Sequence, residues 1–109
     1  MINQSIRDVL TDPRVGCPSY QFMAPEGAKY PHTVYNYIYD RDVWFEEGDP
    51  VEQLSEVQVD IYQGGNYNQL LSTIITVAKE HGFYKGQGHG RYDQAINMPY
   101  YTLRLLKEI

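Results

Sequence analysis

The chain of 109 residues is long enough for one domain, and a domain of this size buries about 65% of its extended-chain surface without disulfides or metals. Nine Lys and Arg residues against fourteen Asp and Glu residues give a net charge of −5 and a pI near 5.0, which argues against nucleic acid or an anionic membrane as the main partner. We expect a cytosolic protein, because no apolar run approaches a membrane span of roughly 18 residues and the N-terminus lacks the pattern of a signal peptide. The lone cysteine, Cys17, excludes an intramolecular disulfide.

The first predicted element is a short amphipathic helix over residues 2–11, which Asp12-Pro13 ends. Its apolar residues recur at helical spacing, at Ile2, Ile6, Val9 and Leu10. A brief strand is predicted around residues 19–23. Pro18 favours an edge position for it, since proline donates no hydrogen bond to a neighbouring strand.

A second strand is predicted over residues 33–40, where two kinds of side chain alternate. Because Val34 and Ile38 are aliphatic, we expect them to face the helices. The three tyrosines of the other set are then predicted to face outward, where a partner can cover them: Tyr35, Tyr37 and Tyr39. The chain contains eleven tyrosines, a number that fits either an interface or the ordinary preference of tyrosine for strands.

The stretch from Asp40 to Pro50 is acidic and is predicted to form a protruding hairpin loop. Eight acidic residues but only one basic residue, Arg41, lie between positions 40 and 60. Trp44 and Phe45 stand in the middle of this charged stretch. Two such aromatic residues either tuck back against the domain or bind another subunit, as interface anchors do.

The central prediction is a strand at residues 54–63, followed by a Gly64-Gly65 joint and a helix. Val57, Val59 and Ile61 alternate with polar residues, which is typical of a half-buried strand. The helix carries one apolar stripe, formed by Leu70, Leu71, Ile74, Ile75 and Ala78.

The ends of this helix are also predicted from its sequence. Asn66 is the expected N-cap, with Gln69 completing a capping box. Gly82 suits the left-handed position after the last turn, and Phe83 is placed to fold back on Ala78 or Val77.

A final hairpin is predicted from residues 84–92 and 100–106, with Tyr101, Leu103 and Leu105 facing the core. The whole chain is therefore predicted as a single α+β domain over residues 1–109. Its expected architecture is an antiparallel sheet of four or five strands with two helices packed on one face.

No residue pattern indicates a catalytic, cofactor-binding or metal site, and we predict that the chain is not an enzyme. Gly86-Gln-Gly-His-Gly90 precedes a strand, whereas a phosphate-binding loop leads into a helix; glycines at alternate positions on one strand face favour bending or the close approach of another backbone. The three histidines lack metal-ligand spacing, and no serine lies in a G-x-S-x-G context. Adjacent acids such as Glu46 and Glu47 are typical of a solvated surface.

The order of motifs resembles the tail-completion or tail-terminator proteins of phages with long, non-contractile tails and of related prophages. The resemblance covers about residues 15–107. It rests on Tyr30-Pro31, Tyr35-Asn36, the strand Val59-Asp60-Ile61-Tyr62, the joint Gly65-Asn66-Tyr67 and the helix end His81-Gly82-Phe83.

The resemblance implies a virion protein that forms a ring, expected to be hexameric, caps the tail tube and joins the tail to the head. Its expected partners are copies of itself, the tail-tube protein and the head-tail connector proteins. We expect an acidic face to meet a basic one across the ring. The predicted interface residues are Tyr35, Tyr37, Tyr39, Trp44, Phe45, Glu46, Glu47, Asp49, Lys85, Arg91 and Arg104, with Lys107 adding to the basic charge.

Two alternatives remain open at the level of sequence. One is a head-tail connector or another protein of the phage neck. The other is a small monomeric binding or regulatory module, in which the outward tyrosines form a ligand surface.

Overall fold

The structure, a computed structural model, describes residues 2–44 and 50–108, with side chains for residues 5–38 and 55–107. Its elements in chain order are α1 (Ile2–Leu10), β1 (Ser19–Gln21), β2 (His32–Trp44), β3 (Pro50–Tyr62), α2 (Asn68–Glu80), β4 (Tyr84–Asp93) and β5 (Met98–Glu108). These elements form one five-stranded sheet in the order β1-β2-β3-β5-β4, with both helices on one face. The predicted α+β class is confirmed.

One strand departs from the antiparallel prediction, because β1 runs parallel to β2. The pairing is short, from Ser19 opposite Thr33 to Gln21 opposite Tyr35. The connection between the two strands, residues 22–31, is a loop rather than a tight hairpin turn, and its length lets the chain return and enter β2 in the same direction. The predicted edge position of this strand is confirmed.

The core lies between the two helices and the face of the sheet that we call the helix face. Val57, Val59 and Ile61 of β3 are fully buried there, as the alternating pattern predicts. Leu103 lies opposite Val59 and Leu105 opposite Val57, so β5 adds its apolar residues to the same face. The helices close this core with Ile6, Val9, Leu10, Ile74, Val77 and Ala78.

The predicted outward orientation of the tyrosines in β2 is wrong for Tyr35 and Tyr37. Tyr35 is only 5% exposed and belongs to the core, where Arg7 Nε donates to its hydroxyl at 3.2 Å. Tyr37 packs against the same core, with its hydroxyl 3.3 Å from Ser55 Oγ. The register decides the face, since Tyr35 lies opposite Val59 and Tyr37 opposite the buried Val57.

This arrangement has a physical reason in the size of the helices. Helix α1 has only nine residues, and its Arg7 contacts the hydroxyl of Tyr35, while Tyr37 adds its ring to the edge of the core with its hydroxyl at Ser55. Val34 and Asn36 consequently belong to the opposite surface of the sheet, which we call the open face.

Within the predicted hairpin loop of residues 40–50, the described residues 40–44 and 50 belong to strands, which corrects the prediction there. β2 and β3 contain 13 residues each, and their pairing continues from Asp40 opposite Ser55 to Trp44 opposite Pro50. β5 pairs with β3 only as far as Glu108, which lies opposite Leu54. Beyond that level the chain forms a two-stranded ribbon, residues 42–44 and 50–53, which we call the arm. It contributes to an elongated shape of 50 × 29 × 23 Å.

The predicted end of α2 is confirmed, whereas its predicted start is shifted. Gly82 has φ of +86°, and Phe83 N donates to Ala78 O at 3.0 Å, the bonding of a Schellman motif. At the start, the N-cap is Tyr67, without a side-chain cap. Asn66 Oδ1 instead accepts a hydrogen bond from Asn68 N at 2.9 Å, and this bond stabilises the turn that leads into the helix.

Lys107 joins the end of β5 to both helices. Its Nζ donates to His81 O at the end of α2 at 2.7 Å and to Ser5 Oγ of α1 at 3.2 Å. The ammonium also lies 5.1 Å from the centre of the Phe83 ring. A cation at this position satisfies a carbonyl at the helix C-terminus and complements the helix dipole.

Candidate assembly surface

A column of stacked aromatic rings crosses one end of the open face. His32, Tyr62 and Tyr100 occupy opposite positions on β2, β3 and β5. Their ring centres are 5.2 Å and 4.8 Å apart, and Tyr30 stacks on His32 at 4.8 Å. Burial raises the pKa of Tyr62 to about 12. The column joins three strands on the face that no helix covers.

Polar side chains continue along the open face next to these rings. Thr102 Oγ1 donates to Asp60 Oδ1 at 2.9 Å, and Gln58 Nε2 donates to the same oxygen at 3.3 Å. Burial raises the pKa of Asp60, although these two hydrogen bonds and nearby arginines oppose the change. Further along, Arg104 forms an ion pair with Glu56.

A groove of about 610 Å³ lies over this part of the open face. Its floor comes from β2 and β3, and the loop of residues 22–30 forms one wall. Ile96, in the turn between β4 and β5, contributes from the other side. The charged residues that line the groove are all acidic: Glu26, Asp60 and Asp93.

The free edge of the sheet at β4 is exposed and basic. Lys85, His89 and Arg91 are exposed, and no acidic residue lies between Tyr84 and Tyr92. Arg91 Nη2 donates to His89 Nε2 at 3.0 Å. An edge strand offers backbone hydrogen-bonding groups as well as these side chains.

Gly88 and Gly90 of β4 make room for aromatic side chains, whereas the sequence predicted bending or the close approach of another backbone. A Cβ at Gly88 would lie 2.5 Å from the Tyr101 hydroxyl, and one at Gly90 would lie 2.7 Å from the Tyr67 hydroxyl. A Cβ at Gly86 would instead meet Leu106 and Arg104. The reason is a bulge between Lys85 and Gly88. It places Gly86 on a different face from Gly88 and Gly90, whereas strict alternation would place all three on one face.

The structure separates the predicted interface residues into groups. Lys85 and Arg91 share the exposed edge strand, while Arg104 has Glu56 as a partner within the chain. Tyr35 and Tyr37 are on the helix face. The remaining predictions concern side chains outside the described residues: Tyr39, Trp44, Phe45, Glu46, Glu47 and Asp49.

Sequence reasoning did not single out the apolar side chains around the groove. Phe22 is 69% exposed and Met23 is 79% exposed, and Tyr30 and Ile96 line the same groove. One local signal was available, since two adjacent large apolar residues directly precede Ala24-Pro25, in a segment rich in loop-forming residues. The position of Ile96 across the groove depends on long-range folding.

Among the described residues, no group of three or more His, Cys, Asp or Glu side chains is arranged to hold a metal ion. Within the same part of the chain, neither helix has the length and hydropathy needed to cross a membrane.

Comparison with known proteins identifies a shared fold. No protein-family model matches the sequence, and no curated protein matches it. The structure is similar to a chain in the virion of a native gene transfer agent particle, with a TM-score of 0.60. The match covers 98% of this chain and 92% of that chain at 8% sequence identity. The two chains therefore share an α+β fold over nearly their whole lengths.

Proposed function

We propose that this chain is a structural protein of a phage-like particle, which caps the tail tube and joins the tail to the head as a ring of identical subunits. The observation that carries the proposal is the full-length fold match to a chain of a gene transfer agent virion. The resemblance of residues 15–107 to tail-terminator proteins supports the narrower role in the tail.

The surface of the chain suits assembly with other proteins. Its open face carries rings and hydrogen-bonded polar groups without a covering helix, and β4 leaves one sheet edge free. A ring of identical subunits needs two different surfaces that fit each other. The exposed basic strand β4 supplies one such surface, while the acidic groove and the acidic stretch from Asp40 to Asp60 supply candidates for the other.

Some parts of the proposal remain predictions about particular residues. The acidic side chains Glu46, Glu47 and Asp49 are proposed to contact the basic residues of a neighbouring copy. Tyr39, Trp44 and Phe45 are proposed as contacts with a neighbouring copy or a partner. Of the basic residues, we place most weight on Lys85 and Arg91, because the charge of Arg104 is matched within the chain.

Deletion of the gene tests the proposed role through the length of the tails. A tube without its cap continues to add subunits, so we expect electron micrographs to show tails longer than those of the parent particle and separate from the heads. Supplying the intact gene in trans should restore uniform, attached tails.

Other outcomes distinguish the alternatives. Tails of normal length that fail to join heads would favour a connector elsewhere in the neck. Normal, infectious or DNA-transferring particles would contradict a virion role and favour the monomeric binding module.

A further inference from the structure

Most of the exposed large apolar side chains of the described residues surround one groove. There are six such side chains, and four of them line the groove over the open face: Phe22, Met23, Tyr30 and Ile96. The groove has a volume of about 610 Å³, and none of its lining residues belongs to a helix. Exposed apolar side chains that gather around one cavity mark a binding surface. We call this surface the groove patch.

The backbone holds the first of these side chains in a strained position. Phe22 has φ of +70°, a value that bulky residues rarely adopt. Met23 N donates to Gln21 O at 2.8 Å, which is the bonding of a γ-turn in its strained, positive-φ form. Phe22 is nevertheless 69% exposed. A strained turn that presents an aromatic ring to solvent points to a contact outside the chain.

The column of stacked rings adds an aromatic wall to the groove patch. His32 stacks on Tyr30 with ring centres 4.8 Å apart, yet Tyr30 is still 44% exposed. An aromatic ring attracts a cation placed over its face, and the flat guanidinium of arginine can stack on it. Burial is the main reason that the pKa of Tyr62 is raised to about 12, and the negative charges of Asp60 and Asp93 add to it. The rings therefore lie in negative surroundings, which favour a cation.

The charged side chains that line the groove are all acidic. Glu26 in the loop of residues 22–30 and Asp93 at the end of β4 come from different elements. Within the described part of the chain, neither of them forms an ion pair. Asp60 differs, because Thr102 and Gln58 hydrogen-bond to it and nearby arginines already act on its charge. We therefore assign the attraction for a cation to Glu26 and Asp93.

The arginines of this chain are engaged elsewhere. The four whose side chains are described all have partners within the chain: Arg7 with Tyr35, Arg14 with Asp12 and Glu80, Arg91 with His89, and Arg104 with Glu56. The chain also carries a net charge of −5, so its copies repel one another on average. A basic segment of a different protein is therefore the better occupant of the groove patch.

We propose that the groove patch binds an extended segment of another protein of the particle, in which an arginine lies next to a large apolar side chain. The guanidinium stacks on Tyr30, and its charge faces Glu26 and Asp93. The apolar neighbour packs against Phe22 and Met23. The inference rests on the proposed function, since that function makes the partner a protein of the particle. It leaves the basic edge of β4 for contacts within the ring.

Binding of short peptides to the intact chain tests the groove patch. The probes are acetyl-Leu-Arg-Leu-amide and the same peptide with lysine or with citrulline, the neutral isostere of arginine. Amide chemical shifts of the isotopically labelled protein measure binding at peptide concentrations to about 10 mM, a range that detects weak contacts. We expect a Kd on the order of 1 mM for the arginine peptide, since a short segment buries little surface. The shift changes should be confined to the residues that line the groove and their neighbours.

Two variants separate the charged part of the site from the apolar part. Glu26→Gln with Asp93→Asn should weaken binding of the arginine peptide about fivefold, to the affinity of the citrulline peptide, because both negative charges are lost. Asparagine at position 93 keeps an oxygen that can accept from Ala95 N. Phe22→Ser should weaken the arginine and citrulline peptides equally, since it removes an apolar wall. Asp8→Asn, a change of an exposed acid on α1 across the sheet, is the matched control.

Several results would overturn this contact. They are equal affinities for the arginine and citrulline peptides, shift changes centred outside the groove, no binding at the highest concentration, or a double acid variant that binds like Asp8→Asn. Shifts of the groove amides when the protein is concentrated without peptide would show that a second copy occupies the groove instead. Thermal unfolding checks that each variant folds.

A charge reversal in the gene links the site to the particle. Supplying Glu26→Lys with Asp93→Lys in place of the intact gene should give fewer heads with attached tails than Asp8→Asn gives, because the new charges repel a basic segment. Unchanged particles would contradict a partner within the particle. Tail length in the gene deletion decides the proposed function separately, so a chain that caps tails but binds no arginine peptide would refute only this contact.

Discussion

The two faces of the sheet are built on different principles. The helix face is a dry apolar layer, in which Val57, Val59, Ile61, Leu103 and Leu105 are all at most 1% exposed. The open face consists of stacked rings, hydrogen-bonded polar groups and a partly exposed ion pair, and only some of its side chains, such as His32 and Thr102, are buried. From this difference we expect side chains on the helix face to contribute more to the free energy of unfolding than those on the open face.

The largest expected effect compares two leucines of β5. Leu103 is fully buried on the helix face, whereas Leu106 is partly exposed in a cleft of the open face. Leu103→Ala should lower the free energy of unfolding by about 3 kcal/mol, because it leaves a cavity in the core. Leu106→Ala should cost less than about 1 kcal/mol, since solvent and neighbours can fill the space. Urea denaturation measures both, and equal losses would contradict the contrast between the faces.

Two glycines of β4 sharpen the comparison at the sheet edge. Gly88→Ala should cost about 2 kcal/mol, because the new Cβ meets the rigid Tyr101 ring beneath the helix layer. Gly86→Ala should cost less than about 1 kcal/mol, since its nearest neighbour is the movable end of Leu106. Gly64→Ala, with no atom closer than 3.9 Å, is the neutral control. Thermal unfolding should rank the three variants in this order, and a larger loss for Gly86→Ala would reverse the interpretation.

Two basic residues of β5 test how much charged side chains near the helices and on the open face contribute to stability. Lys107→Met should lower the free energy of unfolding by about 1 kcal/mol, because it removes the hydrogen bond to His81 O and the cation at the end of α2. Arg104→Met should cost less, since its ion pair with Glu56 is partly exposed to solvent. Denaturation in low and high salt measures both changes. A greater cost for Arg104→Met would show that the open face contributes more to folding than its exposure indicates.

The smallest expected effect concerns two aspartates, whose replacement should change the free energy of unfolding in opposite directions. Burial raises the pKa of Asp60, so its contribution to stability is complete below its ordinary pKa of 3.8 and is lost as the pH rises through the folded value. Asp60→Asn should therefore stabilise the protein at pH 7, with the gain disappearing in acid. Asparagine retains an oxygen that can accept from Thr102.

Asp12 provides the opposite case. Hydrogen bonds from Arg14 lower the pKa of Asp12 to about 2, and its contribution is present above pH 3.8 and is lost as the pH falls towards 2. Asp12→Asn should therefore destabilise the protein at pH 7. Unfolding curves from pH 2 to pH 7 compare the variants, and shifts of the same sign would contradict this assignment.

Periodic patterns predicted the elements that build the core. The alternation of Val57, Val59 and Ile61, the stripe of α2 and the ending at Gly82-Phe83 are local signals, and the structure confirms each of them. The alternation also predicted correctly that Val34 and Tyr35 lie on opposite faces of the sheet. It could not show which set faces inward, because that depends on the register with β3 and on the short length of α1.

The candidate surface was less accessible to sequence reasoning. Lys85 and Arg91 were predicted as interface residues, and the structure shows them exposed on an edge strand. The groove depends on the loop of residues 22–30, Asp60 and Tyr62 of β3, and Ile96 lining one cavity, which brings together distant parts of the chain. The parallel pairing of β1 with β2 likewise joins segments that a loop separates. The strands of the arm were missed because charged residues are uncommon in strands.

The bond from Lys107 to Ser5 has a practical consequence for studying assembly. It brings together positions 102 residues apart, at the end of the body where α2 finishes. Tyr100, beside the groove, is seven positions away along β5, about 23 Å at 3.3 Å per residue. Fluorophores attached close to positions 5 and 107 are therefore carried at the same pole of the body, remote from the groove.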